Sequence, residues 1–118
     1  MRVIVLGGTR FIGRVIVETL TAAGHAVLVV HRGINEPADL RGVEHLHAER
    51  RGWPGCQATL AAFGADAAVD VSAADGPDTR SALAALPSRI ALVARCPALM
   101  STGRTGRFTA ACRPMLCR

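Results

Sequence analysis

Apolar positions along residues 1–94 fall into two alternating patterns. The first is a short run rich in Val, Ile, Leu and Ala: Arg2–Leu6 (RVIVL), Ala26–His31 (AVLVVH), Val43–His47, Ala67–Ser72 (AAVDVS) and Arg89–Ala94 (RIALVA). Such runs read as strands, four of them apolar enough to be covered on both faces. The second pattern has apolar residues three and four apart. Phe11–Ala23 places Ile12, Val15, Ile16, Leu20 and Ala23 on one predicted helix face, and Gly24 stands where a left-handed cap belongs. Gln57–Phe63 reads as a short helix closed by Gly64, and Pro77–Leu86 as a helix stopped by Pro87. Residues 32–42 read as a loop and the GWPG segment 52–55 as a turn or loop, with Trp53 covering a sheet edge.

Strands alternating with crossover helices imply parallel pairing. The predicted fold is therefore α/β: a doubly wound, Rossmann-like parallel sheet of about five strands, in the order 3-2-1-4-5. The rhythm stops after Ala94, and RCPALMSTGRTGRFTAACRPMLCR has no sustained period. The expected organisation is an incomplete domain over 1–94 and a basic irregular tail over 95–118.

Charge divides at the same place. The chain has 118 residues and a net charge of +5. Residues 1–94 carry nine Arg and nine acids, whereas residues 95–118 carry five Arg and no acid. The basic balance therefore belongs to the tail. Its one aromatic, Phe108, offers little for base stacking, so specific nucleic-acid binding is not expected. No apolar run is long enough for a membrane span, and no secretory cleavage pattern follows the first strand. A cytoplasmic location with reduced thiols is the expectation for Cys56, Cys96, Cys112 and Cys117.

The segment VIVLGGTRFIG (Val3–Gly13) carries the clearest chemistry. A strand runs into Gly7 and Gly8, and a helix opens near Phe11 with Gly13 in its first turn. Small residues let the backbone turn sharply beside a pyrophosphate, and unpaired N–H groups at the helix start bind the anion. The flanking strands supply the context that a dinucleotide fingerprint requires. At the end of the second strand stand His31 and Arg32, not an acid. An Arg there can pair with a ribose 2′-phosphate, and Arg10 on the adjacent loop can join it. NADP is favoured over NAD on this ground.

GGTRFIG, continuing into RVIVETLTAAGHAVLVVHRG, resembles the extended or atypical short-chain dehydrogenase/reductase group. Within it the segment is similar to the NAD-dependent epimerase/dehydratase family, in the branch that includes the chloroplast stem-loop RNA-binding proteins. Gly7 and Gly13 match the outer positions of the family's G-x-x-G-x-x-G pattern, while Arg10 replaces the middle glycine. The resemblance implies a cofactor site built from Gly7, Gly8, Thr9, Arg10, Phe11, Ile12, Gly13, His31 and Arg32. It also implies an acidic adenine contact at Glu49 and a ribose-lining segment at Ser72–Ala74, including Ala73.

The family's hydride chemistry uses a Tyr-x-x-x-Lys pair. This chain has no Tyr, and all 14 of its basic residues are Arg. The resemblance thus implies a dinucleotide-binding portion that does not turn over as this chain, with its substrate unspecified. A non-catalytic binding module, RNA-associated through basic residues, is the alternative. The tail composition is what GC-rich DNA gives in a wrong frame, so an interrupted reading frame is the expectation. Translating the coding DNA in its other frames tests this, and the lack of a family-like continuation beyond residue 95 would reject it. A sheet ending at its fifth strand would expose an apolar edge open to self-association.

Other groups read as structural. His45 and His47 are two apart and share one side of a strand, expected to be a partly exposed face and not a metal site. The tail cysteines lack zinc spacing. Asp66 and Asp70 bracket a strand, and Asp75 or Asp78 is the expected cap of the next helix.

Overall fold

The computed structural model describes residues 1–40, 42–73 and 76–90, together with the backbone of Leu92–Arg95. Five strands are described: β1 (Arg2–Leu6), β2 (Ala26–His31), β3 (Glu44–His47), β4 (Ala67–Asp70) and β5 (Leu92–Arg95). They form one parallel sheet in the order β3-β2-β1-β4-β5, as the alternation predicts. The helices are α1 (Phe11–Ala22), α2 (Gln57–Phe63) and α3 (Gly76–Ala85), with a 3-10 segment at Arg50–Cys56.

The sheet is covered on both faces because its strands alternate between two apolar clusters. Val3, Val5, Val27 and Val29 face Val17 of α1. Ile4, Leu6, Leu28, Val30 and Ala68 face the other way, onto Trp53, Leu60, Phe63, Ala82 and Ala85. The crossover from β1 to β2 and that leading into β4 therefore lie on opposite faces. The chain reverses direction about β1, and the crevice above the C-terminal ends of β1 and β4 is the switch point where this fold binds ligands.

Several expectations are corrected. The buried residues of α1 are Gly13 and Val17, with Ile16 and Leu20 partly buried against the sheet. Ile12 and Val15 point outward, 49% and 60% exposed. Gly13 sets this orientation: a Cβ there would lie 2.6 Å from the Gly7 carbonyl, so only glycine lets the helix pack this close. The GWPG segment takes the turn alternative. It lies in the 3-10 turn, and Trp53 is a buried core residue. The fifth strand starts at Leu92, not Arg89, because Pro87–Ile90 closes a turn through Ile90 N–H to Pro87 O at 3.1 Å. The third and fourth strands are shorter by one and two residues at the ends expected to extend them.

The helix stops behave as the residues dictate. Beyond α1, Gly24 adopts φ +83 and His25 N–H returns to Leu20 O at 3.0 Å. Gly64 closes α2 at φ +71. Both are left-handed positions that glycine takes without a Cβ penalty. Asp78 lies in the first turn of α3, where its charge suits the helix dipole. Asp75 and the tail lie outside the described residues.

Candidate dinucleotide site

A cavity of about 340 Å³ opens at the switch point, within the size range of small-molecule sites. Gly7, Thr9, Arg10, His31, Arg32 and Ser72 of the expected set line it. Val30, Ile34, Asn35, Ala48, Arg50 and Trp53 complete the wall.

The glycine loop forms the floor. Gly7 adopts φ +90, and a Cβ on it would sit 2.7 Å from Ser72 Cβ. Gly7 N–H is tied to Val30 O at 2.8 Å, which holds the loop against the end of β2. Gly8 lies beneath, where a Cβ would meet Val17, Val29 and Val5. Arg10 is the N-cap of α1, in extended conformation and without a side-chain cap hydrogen bond. The first helical N–H groups lack intrahelical acceptors by construction, so this start offers donors of the kind that suit an anion. Phe11 stands there at φ +47 and 86% exposed, a left-handed conformation unusual for a large side chain. Phe11, Ile12 and Gly13 do not line the cavity. They are the helix start itself.

The cationic side is supplied by Arg10 and Arg32. Neither has an ion-pair partner among the described residues, and both border the cavity. His31 is buried beside them, and burial, with His45 and His47 close by, pushes its imidazole below the usual value.

The opposite wall rests on an acid that the sequence marks only as bracketing a strand. Asp70 ends β4 with its side chain fully buried. Its Oδ1 accepts N–H bonds from Ser72 and Ala73, each at 3.0 Å, and the Ser72 hydroxyl at 3.1 Å. Arg50 closes on the same carboxylate, Nη2 to Oδ1 at 3.2 Å and Nη1 to Oδ2 at 3.3 Å. Arg50 also donates to Asp78 O at 2.8 Å and Ser72 Oγ at 2.6 Å, and lies over the Trp53 ring at 4.2 Å. Ser72 is thus fixed at the cavity wall, and Ala73 is buried behind it. The Asp-x-Ser spacing of a side-chain turn was the available signal. Arg50 carried none, because Asp70 is twenty residues away. Glu49, the expected adenine contact, is exposed outside the cavity lining, while its neighbour Arg50 reaches in. Ala74 lies outside the described residues.

The sequence pattern described as the NAD dependent epimerase/dehydratase family matches residues 3–97. The chain belongs to this family. A candidate epimerase from Burkholderia cenocepacia J2315 superposes with a TM-score of 0.70 and 26% identity, covering 99% of this chain and 44% of that one. The UDP-glucose 4-epimerase of Thermus thermophilus, crystallised in complex with NAD, is 31% identical with a TM-score of 0.53, covering 64% of this chain and 25% of that one. The 3-oxoacyl-(acyl-carrier-protein) reductase MabA of Mycobacterium tuberculosis is 52% identical over 42 residues, 36% of this chain and 17% of that protein. The family member described here spans less than half the length of each. None of its described helices is long and apolar enough to cross a membrane.

Proposed function

We propose that the chain binds a nicotinamide dinucleotide across the β1–β4 crevice, as the cofactor-holding portion of an epimerase/dehydratase-type oxidoreductase. The observation that carries this reading is the glycine cradle. Gly7 and Gly13 stand where a Cβ would collide with Ser72, Val71 and the Gly7 carbonyl, so their lack of a side chain lets the loop and the start of α1 pack closely at the edge of the cavity. Family membership and the NAD-bound Thermus thermophilus epimerase support the same cofactor class.

The residues would divide the work. Thr9 and the α1 start hold the pyrophosphate. Ser72, fixed by Asp70 and Arg50, and His31 border the ribose positions. Arg32 and Arg10 select a 2′-phosphate, so NADP is bound in preference to NAD. The cofactor supplies hydride-transfer chemistry, while this chain binds and orients it. With neither Tyr nor Lys, the chain has no proton donor of the family's type and does not turn over alone.

Calorimetric titration with NADPH and NADH tests the assignment. Saturable binding with NADPH preferred, and loss of that preference in Arg32→Ala, is expected. Equal affinity for both cofactors in the unsubstituted chain would remove Arg32 from the role. Steeply salt-dependent binding of a short RNA without any nucleotide response would favour the non-catalytic module instead.

A further inference from the structure

Beside the nucleotide cavity, three histidines and a glutamate meet at the outer end of β2 and β3. Parallel pairing sets His31 opposite His47, and His45 lies two residues earlier on the same face. His31 Nε2 and His45 Nδ1 are 2.9 Å apart. Glu36, from the loop after β2, brings Oε1 to 3.7 Å from His45 Nδ1 and Oε2 to 2.6 Å from His47 Nε2. One donor atom each from His31, Glu36 and His45 lies within 4.8 Å of the others.

We propose that His31, His45 and Glu36 form a binding site for a divalent transition-metal ion of the zinc class. The donor set, two imidazoles and a carboxylate, suits that ion chemically. Tetrahedral zinc with bonds of about 2.0–2.1 Å needs donors about 3.3 Å apart. The separations of 2.9 and 3.7 Å bracket that value, and the third pair, His31 and Glu36, lies within 4.8 Å, so the exposed Glu36 side chain is the one that must move to close the site. The remaining Glu36 oxygen stays with His47, the outer partner that orients a ligating carboxylate.

His31 sets the chemical requirement. Its Nδ1 accepts the Gly33 N–H at 3.1 Å, so without metal the ring proton sits on Nε2 and is shared with His45. Metal takes the place of that shared proton, which moves to Nδ1 through solvent. The Gly33 N–H must then turn away. Gly33 is at φ +77, and glycine reaches both signs of φ, so the peptide is free to make this change. The bound ion would tie the loop carrying Arg32 and Glu36 to two strands. His31 also lines the nucleotide cavity, so the metal is titrated without nucleotide and its outcome is read separately from the cofactor assignment.

The test uses the untagged full chain, its thiols kept reduced, titrated with Zn²⁺ against a chromophoric competitor and with Co²⁺ for its spectrum. One equivalent should bind and raise the thermal midpoint, and the cobalt form should show visible bands without a thiolate charge-transfer band. His45→Ala and Glu36→Gln should each weaken binding by roughly tenfold or more. Glu36 is an exposed loop residue, so its variant keeps the test decisive if His45→Ala fails to fold. Absence of saturable binding, a thiolate band, or unchanged affinity in Glu36→Gln would overturn the proposal.

Discussion

Asp70 holds the cavity wall through two separable contributions, and substitution can divide them. Asp70→Ala removes the acceptor for the Ser72 and Ala73 N–H groups and the counter-charge of Arg50. Breaking a buried ion pair costs about 3–5 kcal/mol, and a buried N–H left without an acceptor about 1–3 kcal/mol. These figures overlap here, because Arg50 is partly exposed and keeps its bond to Asp78 O and its proximity to the Asp78 carboxylate. A loss of about 3–4 kcal/mol is therefore expected for Asp70→Ala. Asp70→Asn keeps a carbonyl oxygen for the two backbone N–H groups but turns an amide toward Arg50. It should cost about half as much, roughly 1–2 kcal/mol. Urea unfolding followed by the fluorescence of Trp53, the single Trp and one buried under Arg50, reads both variants. If Asp70→Ala costs under about 1 kcal/mol, the buried carboxylate does not hold this wall. If Asp70→Asn costs as much as Asp70→Ala, the ion pair and not the turn carries the energy.

Two further outcomes follow from the packing and surface charges. Val17→Ala should cost roughly 2 kcal/mol, since Val17 is fully buried, while Val15→Ala should stay within about 0.5 kcal/mol, and equal costs in thermal unfolding would contradict the orientation of α1. Arg14 donates to Asp39 at 2.5 Å and holds its carboxyl below the usual range, so the pair's contribution is present at neutral pH and is lost as pH falls from the usual carboxylate value through the lowered one. NMR titration should show the Asp39 carboxyl rising toward its ordinary value in Arg14→Ala, and no movement would deny the pairing.

The sheet was legible because its signals are local. Runs such as RVIVL and AVLVVH are apolar on both faces, and a strand buried on both faces belongs in a parallel sheet. The glycine loop was legible for a similar reason, since Gly7 and Gly13 answer steric demands that the flanking strand and helix announce. The face of α1 was not. Ile12, Val15, Ile16 and Val17 offer more than one apolar stripe, and the choice falls to the contact of Gly13 with Gly7 O, which exists only in the folded chain. Arg50 and Asp70 meet only because β4 returns beside β1. The His45–His47 pair was visible as alternation, but its partners His31 and Glu36 come from the β2–β3 register and the loop between.

The central claim is that the start of α1 and its glycine loop hold a dinucleotide pyrophosphate. Amide NMR of the ¹⁵N-labelled full chain during an NADPH titration measures this at the atoms concerned. The N–H signals of Gly7 to Gly13, with those of Arg32 and Ser72, should move together and saturate at one equivalent. Signals that stay fixed in that segment, or that move only in the Arg-bearing residues beyond 95, would contradict it.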